Sequence, residues 1–66
     1  MTEYSLVRSD GRAFIFARLG DFTSQIEVDT SKISAEKVLE IFKENEVYPE
    51  HTACVYEDLL FKESML

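Results

Sequence analysis

The side chains with the greatest intrinsic reactivity are Cys54 and His51, the single cysteine and the single histidine of this 66-residue chain. A thiol beside an imidazole is the arrangement that a cysteine nucleophile requires. On an extended strand, positions three apart point to opposite faces, so these two side chains would meet only if the chain bent near Pro49. We therefore interpret Cys54 as a buried strand cysteine that serves packing rather than catalysis.

Other reaction centres have even less support. His51, Cys54, Glu50 and Asp58 offer metal-ligand atoms, but their spacing matches no metal-binding motif. The chain also lacks a Walker loop, a dinucleotide-binding glycine motif, a paired CxxC, HExxH and a nucleophile elbow. Carboxylate pairs are expected from the number of acidic residues alone and indicate no glycosidase without a cleft. We predict a protein that is not an enzyme and that binds no cofactor and no metal.

Charge is the strongest compositional signal. The chain has 13 acidic against 7 basic side chains, a net charge of −6, and the excess lies in its second half. We call the acids between Lys43 and Lys62 the acidic segment: Glu44, Glu46, Glu50, Glu57 and Asp58. Such a charge opposes contact with phosphate backbones and favours basic protein partners.

The first half reads as three strands, β1 over 3–9, β2 over 12–19 and β3 over 22–28. Asp10-Gly11 suits a type I′ turn, and Gly20-Asp21 suits a type II′ turn. Two-residue turns fix the register, which places Phe14 between Val7 and Glu27 and Phe16 between Ser5 and Gln25.

That register sorts the side chains into two faces. The predicted core face carries Tyr4, Leu6, Ala13, Ile15, Ala17, Leu19, Phe22, Ile26 and Val28, with Arg8 and Ser24 as its polar members. The opposite face is polar except for Val7, Phe14 and Phe16. An exposed aromatic pair indicates a binding surface, unless the tail with Leu59, Leu60 and Phe61 folds under the sheet and covers it. Stacking of single-stranded nucleic acid on this face is a further hypothesis, which the negative charge opposes.

A helix over 35–45 is expected to cover the core face. Ser34 suits its N-cap, Ile33 is placed to contact Val38, and Asn45 suits a left-handed C-terminal position. A fourth strand over 52–57 would then pair parallel beside β1 or β3. The tail from Asp58 to Leu66 could form a helical turn, a strand or a packing segment. The predicted fold is one α+β domain over 1–66 with the order β-β-β-α-β.

The cysteine content and the apolar runs of the sequence indicate the cellular compartment. A lone cysteine gives no internal disulfide, and the chain shows neither a basic, apolar leader nor a long apolar run. We expect a cytoplasmic protein without membrane contact.

The function hypothesis is a non-enzymatic acidic protein-binding module. It would act as a stoichiometric inhibitor that occludes a basic surface, of the nucleic-acid-binding type, on a larger intracellular protein. In length and charge the chain resembles the small acidic inhibitors that phages and mobile elements encode. The predicted partner-binding residues are the acidic segment (Glu44, Glu46, Glu50, Glu57 and Asp58) together with Tyr48, Phe14 and Phe16. The alternative is a homo-oligomeric structural or accessory subunit, for instance a homodimer that buries Phe14 and Phe16. An enzyme based on Cys54 and His51 ranks third.

Overall fold

Two tight turns set the architecture of the N-terminal half. The computed structural model describes residues 1–64. In it, β1 (Glu3–Ser9), β2 (Arg12–Leu19) and β3 (Phe22–Val28) form an antiparallel sheet in the order β1-β2-β3. Asp10 and Gly11 both have positive φ, as a type I′ turn requires, and Gly20 has positive φ at the first central position, as type II′ requires. The predicted strands and turns are confirmed.

The predicted register is also confirmed. Phe14 lies between Val7 and Glu27, and Phe16 lies between Ser5 and Gln25. Because side chains alternate along a strand, this register turns Ala13, Ile15 and Ala17 of the central strand inward. The core cluster consists of Ala13, Ile15, Val28, Ile33, Ala35, Val38, Phe42, Val47 and Tyr56. Phe22 was assigned to the core face but is 68% exposed, since it begins an edge strand directly after the second turn.

Helix α1 (Ala35–Glu44) begins as predicted. Ser34 is its N-cap, and the Ser34 hydroxyl oxygen accepts a hydrogen bond from the Lys37 backbone N–H at 3.2 Å. Ile33, just before the cap, and Val38 are both buried in the core cluster. The helix contacts β1 and β2, and Arg8, one of the two polar residues of the core face, forms an ion pair with Glu36 of α1.

The end of α1 differs from the prediction. Asn45 has φ −99°, and Glu46 takes the left-handed position with φ +47°. The Val47 N–H donates to the Phe42 carbonyl at 3.1 Å and the Glu46 N–H donates to the Lys43 carbonyl at 3.4 Å, which together form a Schellman motif. This motif places a hydrophobic pair around the left-handed residue. Because Val47 and Phe42 are the buried pair, the left-handed residue is the one directly before Val47.

The predicted fourth strand is wrong. Residues 52–57 begin helix α2 (Thr52–Ser64), which follows a 3₁₀ turn at Pro49–His51, so the order is β-β-β-α-α within an α+β fold. Proline is favoured both in the first turn of a helix and shortly after a helix end. Pro49 occupies the first turn of the 3₁₀ helix. The inward positions recur every three or four residues, the helical period. They are Thr52, Val55, Tyr56, Leu59, Leu60 and Glu63.

Helix α2 covers β3 from the core side, not from the opposite side of the sheet. Leu59 and Leu60 pack against the core cluster, so the alternative in which the tail folds under the sheet is wrong for the residues that the structure describes. Met65 and Leu66, which belonged to the same predicted tail, lie outside the described residues.

Three long-range hydrogen bonds fix the C-terminal half on the sheet. Ser24 Oγ donates to Thr52 Oγ1 at 2.9 Å. The direction follows because Thr52 has a single hydroxyl proton, which it donates to the Pro49 carbonyl at 3.0 Å. The Tyr56 hydroxyl oxygen accepts the Asp29 N–H at 2.6 Å. At the other end of the sheet, the Tyr4 hydroxyl donates to the Val47 carbonyl at 2.6 Å. Ser24, the second polar residue of the core face, is therefore an anchor for α2.

We predict that Thr52→Val lowers the free energy of unfolding by about 1–3 kcal/mol, because Ser24 and the Pro49 carbonyl both lose a partner at a site where Thr52 is 2% exposed. Thr23→Val makes the same chemical change at an exposed position of β3 and should change stability by less than about 0.5 kcal/mol. Urea denaturation of both variants measures the difference. Equal effects would contradict the anchoring role.

Candidate functional site

A groove lies between the C-terminal end of α1 and helix α2. Its volume is about 530 Å³. Apolar side chains form its floor, and polar side chains surround them. The floor residues are Ile41, Val47, Val55 and Leu59, and the polar residues are Asn45, Glu46, Tyr48, His51, Asp58 and Lys62. An apolar floor with a few polar groups at its border is the usual composition of a site that binds another molecule.

Each element brings its part of the groove for a local reason. The Schellman motif ends α1 and turns the chain so that Val47 enters the core while Glu46 and Tyr48 remain exposed. Pro49 then starts the 3₁₀ turn that leads into α2. Along α2, Val55, Asp58, Leu59 and Lys62 are three or four residues apart and therefore share one flank of the helix.

The groove unites only part of the predicted partner-binding set. Glu46, Tyr48 and Asp58 line it, whereas Glu44, Glu50 and Glu57 are exposed outside it. Glu57 and Asp58 point about 100° apart because they are neighbours on a helix. Phe14 and Phe16 lie on the side of the sheet opposite the helices. The predicted residues thus form two separate surfaces, a groove and a sheet face.

Sequence reasoning missed several groove residues. Ile41, Val55 and Leu59 were assigned to packing, and Asn45 and Lys62 were given no role in binding. The signal that could have found them is the helical spacing of the apolar residues after Thr52, which a strand assignment over 52–57 conceals.

Tyr48 is the aromatic residue at the border of the groove. Its side chain is 51% exposed, and its ring centroid lies 6.4 Å from that of His51. An exposed tyrosine ring attracts an arginine or lysine side chain through its π-electrons. With Glu46 and Asp58 lining the same groove, these groups favour a cationic side chain.

The carboxylates of the acidic segment have no ion-pair partner within residues 1–64. The ion pairs of the described chain are Arg8–Glu36, Arg12–Glu27, Lys32–Asp29 and Lys37–Glu63. All of them lie outside the groove. Lys62 is the only lysine or arginine among the described residues that line it. Glu46 and Asp58 against Lys62 leave the groove a net charge of −1, and neither carboxylate forms an ion pair among the described residues.

Two features of Glu46 lower the stability of the folded state. Its left-handed backbone costs a non-glycine residue roughly 1–2 kcal/mol, and its carboxylate stands at the negative end of the α1 dipole. Glycine would avoid both costs. Residues held in such conformations cluster at ligand-binding positions, where the side chain is needed for its chemistry.

Two of the perturbed pKa values belong to carboxyl groups outside the groove, Asp29 and Glu36. Hydrogen bonds from the Ser31 hydroxyl and N–H lower the pKa of Asp29. A backbone N–H at the start of α1, and then Arg8, lower the pKa of Glu36. A carboxyl whose pKa is lowered on folding stabilises the protein above its unfolded pKa, and this contribution disappears as the pH falls through the folded value. Both groups therefore favour the folded state at neutral pH.

The third perturbed group connects the sheet to the groove. Burial raises the pKa of Tyr4, a hydrogen bond with Thr2 opposes that rise, and the charge of Glu46 adds to it. Tyr4 thus keeps its proton and donates it to the Val47 carbonyl, next to Glu46.

The proposed cysteine environment is wrong. Cys54 is exposed on α2 rather than buried in a strand, because the segment is helical. His51 lines the groove and Cys54 does not. Among residues 1–64, no group of three or more His, Cys, Asp and Glu side chains is placed to hold a metal ion. No helix in that range is long and apolar enough to cross a membrane.

Comparison of the chain with protein-family models, with curated proteins and with solved structures gives no match.

We predict that Glu46→Gly raises the free energy of unfolding by about 1 kcal/mol, because relief of the left-handed strain exceeds the added flexibility of the unfolded chain. Glu46→Ala removes the same carboxylate but keeps the strain, so it should gain only a few tenths of a kcal/mol. Parallel urea titrations of both variants separate the two causes. A glycine variant no more stable than the alanine variant would show that the backbone at this position is unstrained.

Proposed function

We propose that this chain is a non-enzymatic protein-binding module that accepts a basic segment of a larger protein in the groove between α1 and α2. The observation that carries the proposal is the placement of Glu46, Tyr48 and Asp58 around an apolar floor. A segment with an arginine or lysine beside an apolar side chain matches both parts of that groove.

Long-range charge would guide the encounter. The net charge of −6 and the unpaired carboxylates of the acidic segment attract a basic surface from a distance and raise the association rate. Glu44, Glu50 and Glu57 lie outside the groove, so their role is this attraction rather than contact with the bound side chain.

The groove would supply the anchor. An arginine stem can lie along Val55 and Leu59 while its guanidinium reaches Glu46 or Asp58, and the guanidinium plane can stack on the Tyr48 ring. Contacts of this kind set how long the complex lasts, whereas the outer charges set how fast it forms. No step of this mechanism involves bond making or breaking.

Inhibition is the consequence that we propose for a partner whose basic surface binds nucleic acid. Carboxylates at that surface occupy positions that phosphates would take, so the module would act by occlusion with one module for each site. Small size and acidic charge support this role, as they do for acidic inhibitors from phages and mobile elements.

The test uses two double variants with the same net charge. Glu46→Lys with Asp58→Lys changes the groove, and Glu40→Lys with Asp21→Lys changes exposed acids outside it. We expect wild-type protein to capture a partner from lysate at low salt, with capture falling as salt rises. The groove variant should bind that partner at least tenfold more weakly, and the control variant should lose only a small factor from reduced attraction.

Circular dichroism verifies that both double variants are folded before binding is compared. Equal loss of capture in the two variants would show that attraction is general and that the groove is not the site. Capture that persists unchanged in the groove variant would also refute the proposal.

A further inference from the structure

His51, the single histidine of the chain, lines the groove. It ends the 3₁₀ turn that leads into α2, and its backbone N–H donates to the Tyr48 carbonyl at 2.9 Å. This hydrogen bond and the rigid ring of Pro49 hold the turn, so the imidazole stays at the border of the groove. The His51 ring centroid lies 6.4 Å from that of Tyr48, the ring on which a guanidinium would stack. A cation bound there would lie close to the imidazole.

The imidazole of His51 is exposed, and its nitrogens form no hydrogen bond or ion pair within residues 1–64. A neutral imidazole has one nitrogen that can accept a hydrogen bond, whereas a protonated imidazole has none. The neutral ring can therefore accept an N–H of a bound guanidinium. The protonated ring loses that hydrogen bond and repels the guanidinium charge.

The charge balance of the groove makes a single proton decisive. Glu46 follows the end of α1, Asp58 and Lys62 belong to α2, and together they give the groove a net charge of −1. One proton on His51 brings that sum to zero. Tyr48 is the remaining titratable residue of the lining, and a tyrosine hydroxyl is uncharged near neutral pH.

The titratable neighbours of His51 along the chain do not line the groove. Glu50 precedes it in the 3₁₀ turn and Cys54 follows it in α2, and both are exposed outside the groove. Histidine is the side chain whose charge ordinarily changes between pH 5 and 8, while carboxylates keep their charge in that interval. A change in cation binding over this interval would therefore report on His51.

The outer face of the sheet offers a comparison surface without a histidine. Its charged strand positions are Glu3, Arg12, Arg18 and Glu27, so the face is neutral. Gln25 is an exposed position on this face, on the side of the sheet opposite the helices. A histidine placed there would change the total charge of the protein with pH but would leave the groove as it is.

We propose that His51 is a pH-sensitive element of the groove, and that its protonation releases the bound basic segment. This inference rests on the proposed function of the groove. With neutral His51, the groove keeps its charge of −1 and has an extra hydrogen-bond acceptor for the cation. With protonated His51, both are lost. Because linkage is reciprocal, a bound cation also opposes protonation of His51.

The affinity for a short peptide of arginine, leucine and glycine with both termini blocked tests the proposal. Such a peptide has the same charge at pH 5.5 and pH 7.8, so only the protein titrates. Nuclear magnetic resonance titrations at constant ionic strength measure the dissociation constant. Wild-type protein should bind about fivefold more weakly at pH 5.5, as expected for one added charge near an exposed site. His51→Gln should bind equally at both pH values, within about twofold.

Two further variants separate the position of the charge from its presence. His51→Lys carries a permanent charge at the groove and should bind at pH 7.8 as weakly as the wild type does at pH 5.5. Gln25→His combined with His51→Gln moves the histidine to the outer face of the sheet. It should bind equally at both pH values, because the added proton lies on the side opposite the groove.

Circular dichroism at both pH values verifies that each variant is folded. The stabilising carboxylates Asp29 and Glu36 are retained at pH 5.5, because this pH lies above their ordinary pKa values and folding lowers the pKa of both. Wild-type binding that is equal at the two pH values would overturn the proposal. A pH dependence that persists in His51→Gln, or that returns with Gln25→His, would also overturn it.

These outcomes leave the proposed function of the groove intact, because the peptide still binds. Absence of binding by the wild type at pH 7.8 is a different result. It would refute the groove as a site for cationic side chains, and the role of His51 with it.

Discussion

A two-residue turn leaves a β-hairpin no freedom of register, and both hairpins of this chain have such turns. The first needs positive φ at Asp10 and Gly11, and the second needs it at Gly20. Once these turns form, strand alternation assigns every side chain of the sheet to one face or the other. A slip of one residue would expose Ala13, Ile15 and Ala17 and bury their charged neighbours. The core, the neutral outer face and the position of both helices all depend on this constraint.

The turn that ends α1 and the turn that begins α2 shape the groove as well as the core. The Schellman motif buries Val47 against Phe42 and holds Glu46 in a strained conformation at its turn. Pro49 then directs the chain into α2, whose Thr52 and Tyr56 bond to β3. The groove is the space that these two anchored helices leave between them. Glu46 costs stability locally, which is the pattern expected where a side chain is kept for binding.

Sequence patterns predicted the elements whose signals are local. The three strands, their turns and the start of α1 follow from glycine position, alternation and Ser34. The strand prediction over Thr52–Glu57 failed because the short apolar run Ala53–Tyr56 resembles a strand, and the helical period becomes clear only when Thr52, Val55 and Tyr56 are read together with Leu59, Leu60 and Glu63. Asn45 was favoured by residue type, but burial of Val47 decided the position instead. The charges of the site were predictable, whereas the groove was not, because its shape depends on α2 being a helix.

The groove and the outer face of the sheet lie on opposite sides of this small protein and offer different binding chemistry. One side is acidic with an apolar floor, and the other is neutral with an apolar centre. The same separation lets each surface be altered without disturbing the other.

We propose that the groove itself, and not the acidic surface in general, binds cationic side chains. Nuclear magnetic resonance of ¹⁵N-labelled protein during titration with a short arginine-rich peptide tests this most directly. We expect chemical-shift changes concentrated at Glu46, Tyr48, His51, Asp58 and Lys62 that vanish with Asp58→Lys and persist with Glu40→Lys. Shifts spread evenly over Glu36, Glu40, Glu50 and Glu57 would contradict it.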